Sequence, residues 1–298
     1  MTPLAAQQQT PLRHDAENIA ALFPALMLEA ERVAHTVAAG FHGRRRAGPG
    51  ETFWQHRPYG FGDSVNMIDW RQSARAADRL YVRQNEWEAA ASLWIWRDGS
   101  PSLDYASSKG ASTKKWRADV IATALAILLS EAGERVGLIG GERLYQGRTA
   151  PARILEGLFD QSAASDAPPR ENVSPGAKIL MISDFFSDPN RIGAVANYYT
   201  DLGAAGVLLQ IVDPAEEDFP FRGRTEFEDL KSDDRLVFGD AGSVARDYRR
   251  KFQAHRAALE ALSNSLGWRL LAHRTDKPPQ TALLSLHETL AEQRGRGS

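Results

Sequence analysis

The sequence predicts an α/β protein whose core is a mostly parallel sheet with helices on both faces. Two observations carry this prediction. Short apolar runs typical of buried strands alternate with longer segments of helical periodicity, and such alternation requires right-handed crossovers between parallel strands. The chain has 298 residues, 43% of them hydrophobic and 25% charged, which is sufficient to bury a core of this kind.

Three segments are predicted along the chain. Residues 1–40 form a polar tail and a helix. Residues 41–88 are rich in glycine, arginine and aromatic residues, a composition that favours short strands and tight turns, and this block is expected to pack on the main domain. Residues 89–298 carry the alternating pattern and form that domain.

The N-terminal helix is predicted over residues 15–39. Leu22, Leu26 and Val33 fall at helical spacing and form one apolar stripe. Pro24 lies inside this segment and is expected to kink the helix or to split it in two.

The main domain is predicted in chain order from its apolar runs. Pro151 falls in the first turn of one helix, and Gly133 follows the end of another. Residues 161–175, rich in alanine, serine and proline, are predicted to form a loop. Strands are predicted at residues 91–96, 135–139, 144–145, 178–182, 207–212 and 268–272. Helices are predicted at residues 114–132, 151–159, 189–202, 241–266 and from about 281.

The composition excludes several classes of protein. The chain has no cysteine, which excludes a disulfide scaffold, a thiolate metal site and a cysteine nucleophile. A formal charge of −2 supplies no field that would draw the chain onto nucleic acid. Residues 1–13 lack a signal-peptide pattern, and the longest apolar stretch, residues 120–129, is shorter than the roughly 20 residues that span a bilayer. A cytoplasmic protein without a membrane span is therefore expected.

Oxygen-bearing side chains follow the predicted strands. Ligands of such sheets bind beyond the carboxyl ends of the strands, so these side chains are the first candidates for a site. Carboxylate and hydroxyl oxygens suit Mg²⁺ or Mn²⁺ better than zinc or copper. In an extended D-x-S-x-S loop, the aspartate and the two serines are alternate residues, so their side chains face the same side of the loop. The candidates are Asp98, Ser100 and Ser102 after the first strand of the domain, Thr149 before the helix at 151–159, Ser183 and Asp184 after the strand at 178–182, and Asp213 after the strand at 207–212.

The motif D-G-S-P-S at residues 98–102, followed by Thr149 and Asp184, resembles the metal-ion-dependent adhesion site of von Willebrand factor type A domains. In that family, two serines and a threonine coordinate Mg²⁺, and aspartates hold the ion directly or through water. This sequence departs from the pattern where Arg97 precedes the motif, Leu103 follows it, and Phe185 replaces the glycine often found after the last aspartate. The resemblance implies Mg²⁺ or Mn²⁺ as the cofactor, with the ligands Asp98, Ser100, Ser102, Thr149 and Asp184.

An upstream signature is more specific. It reads G-x-G-x-x-F at residues 48–53, R-x-Y-x-x-G-D at 57–63 and I-D-W-R-x-S-A-R at 68–75. It resembles the bacterial family called "domain of unknown function 58", in which such a signature precedes a von Willebrand-type domain. The resemblance runs from about residue 41 onward. It implies a type A, Rossmann-like fold, frequent partnership with MoxR-type AAA+ ATPases and no established catalytic activity.

The residues of this signature block also indicate ion pairs. The acidic and basic members are close in sequence, so buried or half-buried pairing is expected between them. Aromatic residues of the same block are expected to pack around these pairs. The charged residues are Arg57, Asp63, Asp69, Arg71 and Arg75, and the aromatic ones are Trp54, Tyr59, Phe61 and Trp70.

Three functions are consistent with these features. The first is a non-enzymatic protein-binding module in which bound Mg²⁺ accepts a carboxylate from another protein, acting with a MoxR-type AAA+ ATPase in the assembly or maturation of a complex. The second is an Mg²⁺-dependent phosphohydrolase with Asp98 as nucleophile, although Ser100 stands where such enzymes place a second aspartate. The third is a scaffold whose metal site is empty.

Each candidate residue also has a purely structural interpretation. Asp98, Ser100 and Ser102 could cap a loop or the next helix, and Asp184 could cap the helix that follows it. Asp213 stands before a proline and is expected to be a turn residue rather than a ligand.

Overall fold

A computed structural model of the protein describes residues 9–42, 53–60, 65, 68–75, 79–85, 91–160, 167–230 and 234–294. The chain divides into a main unit, Met1–Gly40 with Ala91–Ser298, and a small unit, Phe41–Ala90. The elements in chain order are α1 (Gln9–His42), β1 (Phe53–Pro58), α2 (Trp70–Ser73), β2 (Tyr81–Asn85), β3 (Ser92–Arg97), α3 (Lys114–Glu131), β4 (Arg135–Leu138), α4 (Ala150–Asp160), β5 (Lys178–Ser183), α5 (Pro189–Asp201), β6 (Ala205–Val212), α6 (Pro214–Asp218), β7 (Thr225–Glu228), β8 (Arg235–Phe238), α7 (Ala241–Ser265), β9 (Arg269–Arg274) and α8 (Pro279–Arg294).

The small unit is built on the antiparallel pair β1 and β2. Ile68 adds an antiparallel bridge to Val82, and both side chains are buried. Asp69 is the N-cap of α2, because its carboxylate accepts a hydrogen bond of 3.0 Å from a backbone N–H inside that helix. The hydroxyl of Ser73 accepts a hydrogen bond of 2.8 Å from the N–H of Tyr81. The bond between Ser73 and Tyr81 joins α2 to β2.

The main unit contains five parallel strands in the order β4-β3-β5-β6-β9. The chain first extends the sheet from β3 to β4 and then adds β5, β6 and β9 on the other side of β3. The order therefore reverses between β3 and β5, which is the place where sheets of this kind bind ligands. Tyr145 adds one antiparallel bridge to Val136 of β4. The predicted α/β class and mostly parallel sheet are confirmed.

Different helices cover the two faces of the sheet. Side chains alternate between the faces along each strand. Trp96, Met181 and Leu208 of the strands share one core with Tyr199 of α5 and Leu259 of α7. On the other face, α3 contacts β3 and β6 and packs against α4 and α8. The prediction of helices on both faces is therefore confirmed.

α3 is buried around almost its whole circumference. All twelve residues from Ala118 to Leu129 are buried. The helix lies between the sheet and further helices, and its Trp116 Nε1 donates a hydrogen bond of 2.8 Å to the carboxylate of Glu29 in α1. A helix that is apolar on all sides is typical of a protein interior, and Asp119 is the charged residue inside this run.

Several elements differ from the prediction. α1 is longer than residues 15–39 and continues through Pro24 as one helix. The apolar pair at 144–145 supplies a single bridge instead of a strand. The hairpin of β7 and β8 was not predicted, because these four-residue strands are exposed or half-buried and carry a weak apolar signal. Of the predicted loop at 161–175, residues 161–166 lie outside the described ranges, and the rest forms neither helix nor strand.

Across the described ranges, no helix combines the length and the apolar character that crossing a bilayer requires.

Candidate functional site

The carboxyl ends of β3, β5 and β6 lie side by side, because these strands are parallel neighbours. The loops that follow them meet at one edge of the sheet. We call these loops, at residues 98–102, 183–186 and 213–216, the carboxyl edge.

Asp98 ties β3 to β5 at this edge. Its carboxylate accepts hydrogen bonds from the N–H of Ser100 (2.7 Å) and from the hydroxyl of Ser183 (2.6 Å), one on each oxygen. Its own N–H donates to the carbonyl of Ile182 at 2.8 Å. Asp98 is buried, so both carboxylate oxygens are engaged by protein donors away from solvent.

The hydroxyls of Ser100 and Ser102 lie together. Pro101 opens a 3-10 turn over Pro101–Asp104, and Ser100 precedes the turn in an extended conformation. The two Oγ atoms are 2.9 Å apart. Ser100 is buried and Ser102 is half-buried. The D-x-S-x-S spacing therefore brings two hydroxyl oxygens to one point of the loop.

Asp184 pairs with a lysine for which the sequence predicted no role. Lys114, the first residue of α3, is 1% exposed. Its ammonium lies 2.9 Å from Asp184 Oδ2 and 2.5 Å from Glu216 Oε1. Asp184 Oδ1 accepts a hydrogen bond of 3.1 Å from the N–H of Phe186. The ring centroids of Tyr105 and Phe186 lie 5.8 Å and 5.2 Å from the same ammonium, within range of a cation–π interaction.

Asp213 closes the third loop by capping α6. Its Oδ1 accepts a hydrogen bond of 2.8 Å from the N–H of Ala215, and the Glu216 carboxylate accepts one of 2.8 Å from the N–H of Asp213. The Asp213 side chain also accepts from the N–H of Glu216, and this bond together with the one from Asp213 N–H to Glu216 forms a capping box. Asp213 Oδ2 also accepts a hydrogen bond of 3.0 Å from the N–H of Ser107. The residue is thus a cap, and Glu216 connects that cap to Lys114.

Burial dominates the electrostatics of these groups. It raises the pKa of Glu216, and the charge of Lys114 opposes that rise. Burial also raises the pKa of the Tyr105 hydroxyl, and the carboxylates of Asp213 and Glu216 act in the same direction. Burial is thus the largest cause of both shifts, and the neighbouring charges modify it.

A second buried charge pair lies at the end of β3. Arg97 Nε and Asp119 Oδ1 are 2.9 Å apart but lack the alignment of a hydrogen bond. The guanidinium donates instead to the carbonyls of Leu158 and Asp98, the latter at 3.0 Å. Burial raises the pKa of Asp119 to about 6, although the charge of Arg97 lowers it in part. Arg97 therefore joins β3 to α3 and α4.

Phe185 occupies the position at which the resemblance expects glycine. Its φ is +53°, in the left-handed region, and its ring is buried in the core. Its N–H donates to the Ser183 hydroxyl at 2.9 Å, and its carbonyl lies 2.6 Å from His255 Nε2. For an L-residue this conformation costs about 1–2 kcal/mol. The local backbone is thus the one that glycine favours, and burial of the ring offsets the strain.

A comparison of two substitutions tests this strain. Phe185→Gly and Phe185→Ala lose the same buried ring, but only alanine retains the penalty at φ +53°. We expect the glycine variant to be more stable than the alanine variant by about 1 kcal/mol in urea unfolding. Equal stabilities, or a more stable alanine variant, would contradict the assignment of strain to this residue.

The structure unites some of the predicted ligands and separates others. Asp98, Ser100 and Ser102 lie together, and their oxygens have the hard character that Mg²⁺ or Mn²⁺ prefers. Asp184 belongs to the network of Lys114, and Thr149 is exposed beside the start of α4. Of the five predicted ligands, Asp98 already accepts hydrogen bonds from protein donors on both oxygens, so the hydroxyls of Ser100 and Ser102 are the ones placed to contact a divalent ion. Within the described ranges, no group of three or more His, Cys, Asp or Glu residues could hold a metal.

Two members of the network were missed from the sequence. Glu216 had a usable signal, because Asp-Pro-Ala-Glu at residues 213–216 has the spacing of a capping box. Lys114 had none, since a lysine in the first turn of a helix is usually solvated. The helix after β5 is capped by Asp188, not by Asp184.

The signature block is only partly described. Asp69 acts as the cap of α2. Arg71 and Arg75 are exposed, and Trp70 is 61% exposed instead of packing around ion pairs. Asp63, Phe61 and the side chains of Trp54 and Arg57 lie outside the described residues.

Comparisons with known proteins bear on the family. Two uncharacterized proteins, Rv1480 of Mycobacterium tuberculosis and Mb1516 of Mycobacterium bovis, are each 26% identical to this chain, covering 92% of it and 91% of their own length. Two solved structures are each 12% identical and match 68% of this chain and all of their own: an aerotolerance-related membrane protein of Bacteroides fragilis, with a TM-score of 0.42, and BatB of Bacteroides thetaiotaomicron, with 0.36. The family model described as "Protein of unknown function DUF58" matches residues 55–258, well over half of the chain. The chain therefore belongs to the DUF58 family.

Proposed function

We propose that this protein is a non-enzymatic binding module, with a von Willebrand factor type A-like main unit, that acts with a MoxR-type AAA+ ATPase in the assembly or maturation of a larger complex. The observation that carries this proposal is that protein groups occupy the hydrogen-bonding positions of the aspartates at the carboxyl edge. Asp98, Asp184 and Asp213 all have protein partners on both carboxylate oxygens. These buried bonds hold the carboxyl edge in one conformation, and such preorganisation favours binding over chemistry.

Phe186 is the proposed contact point on this surface. It stands at the end of the β5 loop, and 38% of the residue is exposed. One side of its ring is supported by Phe252 and His255 of α7, at centroid distances of 6.0 Å and 6.4 Å. A partly exposed aromatic ring that packs on neighbouring rings is a typical anchor of a protein interface. The AAA+ partner is proposed from the family resemblance.

Asp98 is poorly suited to the phosphohydrolase alternative. A nucleophilic carboxylate needs a free oxygen that can approach the phosphorus atom. Asp98 is buried, and its two oxygens accept hydrogen bonds from Ser100 and Ser183. The arrangement supports a structural carboxylate.

A magnesium-dependent form of the same binding is the second candidate. It is favoured by the 2.9 Å separation of the Ser100 and Ser102 hydroxyl oxygens beside Asp98. Those hydroxyls would hold the ion, and Asp98 would position their loop. When bound, the ion would supply an open coordination position for a carboxylate of the partner protein.

Binding of the MoxR-type ATPase from the same genome to the immobilised protein tests the proposal. We expect Phe186→Ser to weaken binding at least about tenfold. Leu284→Ser is the matched control, because Leu284 is 37% exposed on α8, and it should leave binding unchanged. Absence of binding by the unaltered protein, or equal binding by the two variants, would refute the proposed surface. Loss of binding in EDTA, reproduced by the double variant Ser100→Ala, Ser102→Ala, would favour the magnesium-dependent form.

A further inference from the structure

Lys114 is a cation enclosed by the protein. Its side chain is 1% exposed, and its ammonium is held by Asp184 and Glu216 at 2.9 Å and 2.5 Å. An ammonium group taken out of water at this depth persists only where carboxylates neutralise it and accept its hydrogen bonds. Both conditions are met here by residues that follow β5 and β6.

Lys114 joins three segments that are far apart in the chain. The lysine begins α3, at the end of the long loop that follows β3, and its N–H donates to the carbonyl of Tyr105 in that loop at 3.2 Å. Asp184 belongs to the loop that follows β5, and Glu216 lies in α6, which directly follows β6. One ammonium therefore connects the segments that follow three parallel strands, which is the connection expected of a bound metal ion at this edge.

Asp184 has no free oxygen for a second cation. Its Oδ2 accepts from Lys114, and its Oδ1 accepts from the N–H of Phe186. A divalent ion at this carboxylate would have to displace the ammonium into a poorly solvated pocket beside the rings of Tyr105 and Phe186. Repulsion between the two cations and loss of both ion pairs oppose that exchange.

We propose that the ammonium of Lys114 is the resident cation of the carboxyl edge and makes its architecture independent of divalent metal. The inference deepens the proposed function, since it assigns the charge that holds the proposed binding surface in place. It favours the metal-free form of binding over the magnesium-dependent one.

Thermal unfolding of the full chain provides the test. The unaltered protein should have the same Tm in EDTA and in millimolar Mg²⁺ or Mn²⁺. Lys114→Met leaves two buried carboxylates without a counter-charge and should lower Tm by roughly 10 °C. Lys115→Met is the matched control. The Lys115 side chain is 37% exposed, and its ammonium makes a long, solvated ion pair of 3.9 Å with Asp104. The Tm of this variant should stay unchanged.

Two further variants separate the loss of charge from a general failure to fold. Lys114→Met combined with Asp184→Asn and Glu216→Gln removes all three charges and should recover most of the lost Tm. Lys114→Ala opens the space between the two carboxylates, so Mn²⁺ should raise the Tm of this variant and not that of the unaltered protein.

Two results would overturn the inference. One is a rise in the Tm of the unaltered protein with Mg²⁺ or Mn²⁺ that Asp184→Asn abolishes. The other is a Lys114→Met variant as stable as Lys115→Met. Both readouts are independent of the ATPase, so failure of the proposed binding partner and failure of the resident cation are distinguished.

Discussion

Replacement of Arg97 by methionine is expected to lower the free energy of unfolding by about 3–5 kcal/mol. The Arg97 guanidinium is buried beside Asp119 and donates to the backbone carbonyls of Asp98 and Leu158. Methionine fills much of the same volume, but it leaves a buried carboxylate without its cation and two carbonyls without donors. Urea unfolding at neutral pH measures the loss.

A second substitution shows whether the loss comes from the charge. The double variant Arg97→Met, Asp119→Leu removes both charges of this pair, and we expect recovery of at least half of the lost stability because apolar replacement of a buried pair is often close to neutral. Arg153→Met, at an exposed position of α4, should change stability by no more than about 0.5 kcal/mol. If Arg97→Met loses as little as Arg153→Met, the buried pair does not hold β3 to α3.

Gly206→Ala is expected to cost about 3 kcal/mol, at the upper end of the range for overpacked cores. A Cβ atom at this position of β6 would lie 2.2–2.3 Å from three carbon atoms of the Trp268 ring. The ring is buried, and its Nε1 donates a hydrogen bond of 3.0 Å to the hydroxyl of Thr200. Because the ring is flanked by core residues and tied to α5, it cannot move away without losing these contacts.

The control for this prediction is Gly239→Ala. A Cβ atom at Gly239 meets nothing within 4 Å, so this change should alter the free energy of unfolding by no more than about 0.5 kcal/mol. Both variants are compared by urea unfolding. A Gly206→Ala protein as stable as Gly239→Ala would mean that Trp268 is less firmly packed than the structure indicates.

Much of the fold follows from the sequence because parallel strands need continuous apolar runs. Residues 179–182 are apolar throughout and residues 207–212 are apolar except for Gln210, and they form most of β5 and β6. The same argument did not predict the hairpin of β7 and β8, because its strands are short and partly exposed to solvent. The uninterrupted helix through Pro24 shows that packing can override a local helix breaker.

The candidate site was predictable only in part, because strand order fixes the residues at strand ends but not those whose position depends on loop packing. Asp98 and Ser183 follow neighbouring strands, so the geometry of a parallel sheet brings them within 2.6 Å. Thr149 was chosen by its order along the chain alone, and order does not determine where a loop residue faces. The partner of Asp184 could not be predicted, because the burial of Lys114 depends on the packing of three separate loops.

The bonds of the carboxyl edge join residues that are far apart in the chain. Lys114 is separated from Asp184 by 70 positions and from Glu216 by 102, and Ser107 is separated from Asp213 by 106. Contacts of such long range require loop closure over most of the main unit. A fragment of the chain that ends before β6 cannot contain the complete network. The edge is therefore a property of the fully folded sheet, and a protein that recognises it would distinguish the finished molecule from nascent or truncated chains.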